Sequence, residues 1–148
     1  MSTIHPELIT ILSIKIFKSN ISATDEYMND PVKPAGTEIN VGQNTAFNLE
    51  KKNIRIRLIV KLEAKKNETE SLGLTGEYVL EFHFHIDDLE QFIIKKDDKK
   101  YIDSKLGGTL NGIVYSTARG IIYERTAATA FEGVVLPVID PNLLLEKE

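Results

Sequence analysis

Apolar residues fall at every second position through four stretches of the chain, and the period then lengthens. The cleanest stretch sets Ile54, Ile56, Leu58, Val60 and Leu62 against Arg55, Arg57, Ile59, Lys61 and Glu63, which predicts a strand with one face in a core and one in water. Tyr78, Leu80, Phe82, Phe84 and Ile86 repeat the pattern against Glu77, Glu81, His83, His85 and Asp87. A looser alternation over residues 37–49 puts Ile39, Val41, Phe47 and Leu49 on one side, with Gly42 a site for a bulge. Residues 8–18 differ, because Leu12, Ile14 and Ile16 share the strand with Ile9, Ile11 and Phe17 of the other parity. Both faces of this strand then need cover, and a second subunit is one way to supply it.

After Asp103 the spacing approaches 3.6, with Leu106, Leu110, Ile113, Val114, Thr117, Ile121 and Ala128 on one broad face. One helix of roughly 20 or more residues is predicted, centred on 109–131. Asp103, Ser104 or Thr109 would cap it, and Gly133 and Pro137 mark its end. Small residues recur on it at Gly107, Gly112, Ser116, Gly120 and Ala127, which suits either packing on its own sheet or the approach of another helix. An extended, proline-broken segment, 134–139, follows, and a short terminal helix is expected over 140–145. Residues 20–36, with Asp30, Pro31, Pro34 and Gly36, read as loop. The run 95–100, Lys-Lys-Asp-Asp-Lys-Lys, reads as a solvated loop or helix start.

Four strands followed by helix make an α+β protein: a four-stranded antiparallel sheet, one long helix and a short C-terminal helix. No helical crossover demands parallel strands. At 148 residues the chain is expected to form one domain, 1–148.

Charge and composition narrow the function. With 22 acidic and 18 basic residues the formal charge is −4, and the basic residues do not line one face, so nucleic acid is not an expected partner. Cysteine is absent, which removes disulfides and thiolate metal sites. The first residues lack the basic flank and apolar run of a secretory signal, and no apolar stretch approaches the roughly 20 residues that span a bilayer. The expectation is a cytoplasmic protein without direct membrane insertion.

Chemistry is sparse. His83, His85 and Asp87 alternate on one strand and carry ligand types a metal accepts, which makes a small metal-dependent enzyme the alternative function. A wet or inter-subunit strand face explains the same spacing. Asp87, Asp88 and Glu90 sit where that strand ends and fit a solvated turn better than an acid–base pair. No Walker loop, dinucleotide fingerprint or serine elbow is present. No catalytic residue, resident metal or cofactor is expected.

The run Tyr115-Ser116-Thr117-Ala118-Arg119-Gly120-Ile121-Ile122, then Thr129-Ala130-Phe131, Leu136-Pro137-Val138 and Pro141-Asn142-Leu143-Leu144, resembles the end of the SecB family of protein-export chaperones. The order of four strands, long helix, jointed segment and short helix matches as well. The resemblance implies a homotetramer, a dimer of dimers with sheets joined edge to edge and long helices sandwiched between the layers. It also implies an ATP-independent holdase, whose apolar grooves take unfolded or partly folded polypeptides. Carried over, the polypeptide-binding lining is Val41, Phe47, Phe131, Val135, Leu136, Val138, Leu143 and Leu144. A non-chaperone structural oligomer of the same fold is a further alternative.

In the family an acidic sheet surface receives the tail of the export motor ATPase. Here Lys18-Ser19-Asn20-Ile21-Ser22-Ala23-Thr24 lacks two of the carboxylates of that surface, and Glu81 is left as the docking acid. SecB-like proteins also keep antitoxins soluble, so the partner is the export motor or an antitoxin. Arg119, kept in the family, is expected to pair with a carboxylate or cap carbonyls rather than meet a ligand.

Overall fold

The computed structural model describes residues 3–140. Four long strands form one antiparallel sheet: β1 (Ile9–Ala23), β2 (Gly36–Asn48), β3 (Asn53–Lys65) and β4 (Ser71–Ile86), in the order β1-β4-β3-β2. A short helix α1 (Asp25–Asn29) joins β1 to β2, a hairpin of β5 (Ile93–Lys96) and β6 (Lys99–Ile102) follows β4, and the long helix α2 is Ser104–Ala127.

The alternation in β3 and β4 does what the sequence predicts. Ile54 to Ala64 and Tyr78 to Ile86, at every second position, are buried beneath α2 in one core, while the arginines, lysines and histidines between them face the opposite way. Of the two strand edges, β1 is apolar on exposure: Ile11, Leu12, Ile14, Ile16 and Phe17 lie between 37% and 62% open. Register shifts fall between Ile11 and Ser13 and between Ile16 and Lys18, so Leu12 and Phe17 are the extra residues. These bulges explain the mixed parity of the strand, since each one resets which face follows.

Several expectations are corrected. Gly42 is not a bulge, because β2 pairs with β3 in unbroken register from Gly36 to Asn48. Residues 20–36 are not all loop: β1 runs on to Ala23, and Thr24 caps α1 by accepting from the N–H of Tyr27 at 3.2 Å. Residues 95–100 are solvated, as expected, but form the tip of the β5–β6 hairpin rather than a free loop or helix start, with Asp97 and Asp98 taking positive φ of 52° and 62° in its turn. Two successive left-handed residues make the turn whose twist suits paired strands, and Asp tolerates it better than most side chains.

Helix α2 starts where the candidate cap Asp103 accepts from the N–H of Lys105 at 2.9 Å. Its buried row is Leu106, Leu110, Val114, Ala118, Ile122 and Thr126, every fourth residue, with Ile113, Thr117 and Ile121 only half-buried and Ala128 exposed. A row at intervals of four slants around the helix, and α2 crosses the sheet diagonally: Asn111 meets Gln43 of β2, while Arg125 reaches Ser19 of β1 at the other edge. Gly112, Ser116 and Gly120 lie off the buried row, with Ser116 and Gly120 exposed. The helix ends against Gly133, whose φ of +100° is one that other residues rarely adopt and where an added Cβ would press on the Tyr123 ring at 3.1 Å. The expected terminal helix falls mostly on residues 141–148, outside the described residues.

Candidate functional site

Residues 134–139 form an arm laid back along α2, extended yet outside any strand ladder. Side chains of the helix hold it. The N–H of Val134 donates to Thr126 Oγ1 at 2.8 Å, Arg119 Nε donates to the carbonyl of Leu136 at 3.0 Å, and Tyr115 Oη donates to the carbonyl of Pro137 at 2.6 Å. Arg119 therefore caps carbonyls, as its position in an apolar helix predicts, and its guanidinium also stands 5.2 Å from the centre of the Tyr115 ring. Burial pushes the Tyr115 phenol above its ordinary range, and the neighbouring Arg119 opposes that shift.

The arm sorts the expected polypeptide-binding residues into two sets. Phe131 and Leu136 turn inward and belong to the chain's own core, as does Val134. Val135 and Val138 turn outward, 61% and 89% exposed. Val41 and Phe47 are half-buried on β2 and packed against the core. Leu143 and Leu144 lie outside the described residues.

Near the start of α2 a cavity of about 300 Å³ opens between β2, β3 and the β5–β6 hairpin, walled by Phe47, Ile54, Ile56, Tyr101, Leu110 and Asn111. Asn111 is wholly buried, and its Oδ1 accepts from Gln43 Nε2 at 3.0 Å. Sequence reasoning missed this pair. Its only signal was a carboxamide one position from Leu110, in the row of Gly107 and Tyr115.

The open face of the sheet is polar. Glu81, 6% exposed, is held by Arg57 Nε at 2.8 Å and Nη2 at 2.7 Å on one oxygen, with His83 Nε2 at 2.7 Å from the other. Burial alone would raise its pKa, but Arg57 and His83 outweigh that and hold the carboxyl below the ordinary value of 4.5. Both oxygens of the expected docking acid are thus taken within the chain. His85 turns to Asp87 at 3.0 Å and to Asn53 at 3.1 Å, so the two histidines serve different carboxylates. Among the described residues no group of three His, Asp or Glu side chains is placed to hold a metal. No helix of the described residues is long and apolar enough to cross a membrane.

No protein-family model and no curated protein sequence matches the chain. Solved structures do. The SecB-like chaperone Rv1957 of Mycobacterium tuberculosis, in complex with a ChAD peptide from the HigA1 antitoxin, superposes with a TM-score of 0.62 at 12% identity, covering 90% of this chain and 91% of that one. A protein of unknown function from Streptococcus agalactiae aligns at 14% identity over 88% of this chain and 97% of its own, with a TM-score of 0.44. Sheet order, long helix and returning arm together give this chain the SecB-like fold.

Proposed function

We propose that this protein is an ATP-independent holdase that keeps unfolded or partly folded polypeptide soluble through apolar contact. The arm carries the reading. It is extended, it belongs to no sheet, and side chains anchor it while Val135 and Val138 point away from the core. Non-native chains share a backbone and irregular apolar clusters, so a tolerant site needs open apolar area and free main-chain groups rather than a polar code. No catalytic residue, cofactor or nucleotide enters this function.

The assembly proposed with it is a homotetramer, a dimer of dimers. The exposed apolar edge of β1 would join two sheets, and the side of α2 bearing Ser116 and Gly120 would meet the second layer. Two observations favour a dedicated client, such as an antitoxin, over the export motor. The carboxylates expected at residues 18–24 are absent, and Glu81 is occupied by Arg57 and His83. A cytoplasmic location fits either client.

The test is suppression of aggregation of an unfolded model substrate at stoichiometric protein without nucleotide. Val138→Glu, which touches no core position, should weaken suppression while the oligomer stays intact. A purified, folded wild-type protein that never slows aggregation ends the reading.

A further inference from the structure

Basic side chains on β3 come with acids, with one exception. Arg57 pairs with Glu81, Lys61 with Glu77, and Lys65 with Glu38 and Glu63. Arg55 meets only a neutral group, since its Nη2 donates to Asn44 Oδ1, and its Nε is buried with no hydrogen-bond partner. A half-buried guanidinium without a counter-charge keeps most of its desolvation cost. Glu81 of β4 and Asp87 just beyond it give no relief, because Arg57 and His83 hold the first and His85 the second.

Arg55 lines a shallow pocket of about 250 Å³ where β2 turns into β3. Ala46, directly opposite Arg55 on β2, is too small to fill the space beside the guanidinium, and His83 is its neighbour on β4. Lys51 of the turn, exposed and without an acidic partner among the described residues, brings a second positive charge, and Asn48 and Asn53 complete the polar wall. Phe47 and Ile54 border the same pocket. Because Nε is sealed, an incoming group meets the terminal nitrogens of Arg55, the end of the fork that matches the two oxygens of a carboxylate.

We propose that Arg55 and Lys51 form a carboxylate-binding site on the polar face of the sheet, which takes a glutamate or aspartate side chain from a bound polypeptide. One fork and one further cation suit the single charge and two oxygens of a carboxylate. The apolar border suits an acid carried among apolar residues rather than a free inorganic anion. The inference rests on the holdase reading for its occupant and adds a polarity to it. Apolar contact with the arm has no preference of sign, so this site is what biases the protein toward acidic clients.

End-blocked peptides, alike except for one position set among apolar residues, test the site by fluorescence anisotropy. That position is glutamate, glutamine or phosphoserine. Wild-type protein should bind the glutamate peptide about tenfold more tightly than the glutamine one, the usual worth of a charge-assisted hydrogen bond. Arg55→Gln should bind the two alike, and Lys51→Gln should lower the preference without abolishing it. A glutamate preference that survives Arg55→Gln, or a wild type that shows none, overturns the proposal. Tighter binding of phosphoserine than of glutamate overturns the carboxylate as occupant in favour of a phosphopeptide.

Should Arg55→Gln not fold, the guanidinium resonances of Arg55 in the wild-type protein decide. They should shift further with the glutamate peptide than with the glutamine one, and equal shifts overturn the proposal. A wild-type protein that suppresses aggregation yet shows no glutamate preference loses this site alone. One that neither suppresses aggregation nor binds any of the peptides loses the holdase reading as well.

Discussion

The backbone N–H of Val134 donates to Thr126 Oγ1 across 2.8 Å, and the same hydroxyl donates to the carbonyl of Ile122 at 2.7 Å. Thr126 is fully buried and Val134 nearly so, which makes this hydroxyl the joint between the last turn of α2 and the arm. Thr126→Val keeps the shape and removes the acceptor, leaving the Val134 N–H buried without a partner. A loss of about 1–3 kcal/mol in unfolding free energy is expected from denaturant titration. Hydrogen exchange should localise the change to Val134, and protection there equal to wild type would refute the joint.

Arg119 tests whether the arm must be held to work. Its Nε donates to Leu136 and its Nη2 to Pro137, two carbonyls on consecutive residues, which two nitrogens of a rigid guanidinium meet at once and the single nitrogen of a lysine does not reproduce. Arg119→Lys should therefore behave nearly as Arg119→Ala. Both should speed proteolytic cleavage within residues 134–139 and weaken suppression of aggregation. Rescue by lysine would show that charge rather than the forked contact matters.

Strands β3 and β4 were legible because burial there is one-sided, so each residue's parity gives its face. Strand β1 was not, since its two bulges shift parity: Ile9, Ile11, Ile14 and Ile16 all stand opposite core residues of β4, so the second apolar face expected from the sequence comes from the bulges at Leu12 and Phe17. The length of α2 could be read, but Ser104–Ala127 lies four to five residues before the expected 109–131, Asp103 being one of three candidate caps, and its buried row was misplaced by about one position, because the diagonal crossing favours intervals of four. The β5–β6 hairpin hid in a charge run whose Asp97-Asp98 centre is a turn. For the site, the sequence identified the arm but not its alternation, which sends Leu136 inward and Val138 outward. The Gln43–Asn111 pair joins residues 68 positions apart, a separation no local pattern reports.

The exposed apolar edge of β1 predicts what assembly depends on. Five large apolar side chains, Ile11, Leu12, Ile14, Ile16 and Phe17, stand open on one strand at the sheet's edge, an arrangement soluble chains protect by pairing or charge. Ile14→Lys with Phe17→Lys should give monomers in analytical ultracentrifugation, with far-ultraviolet circular dichroism unchanged. Gly120→Leu, on the outward side of α2 where nothing lies within 4 Å of an added Cβ, should instead stop assembly at dimers. A tetramer surviving both sets of changes would place its interfaces elsewhere.

Glu81 links the stability of the sheet to pH. Its carboxyl is held below the ordinary 4.5 because Arg57 and His83 outweigh the cost of burial. A carboxyl depressed in the folded state contributes stability that is fully present above its unfolded value and is lost as pH falls through the folded one. Glu81→Gln cannot make that contribution, so at neutral pH it should be the less stable protein, with Arg57 deprived of its charged partner. Below pH 4.5 wild type should lose stability faster than the variant, and the gap between their urea midpoints should close as Glu81 protonates. Midpoints measured from about pH 7 down to about pH 3 check this. A gap that stays constant across the series would mean that Glu81 stabilises the sheet by shape and hydrogen bonding rather than by charge.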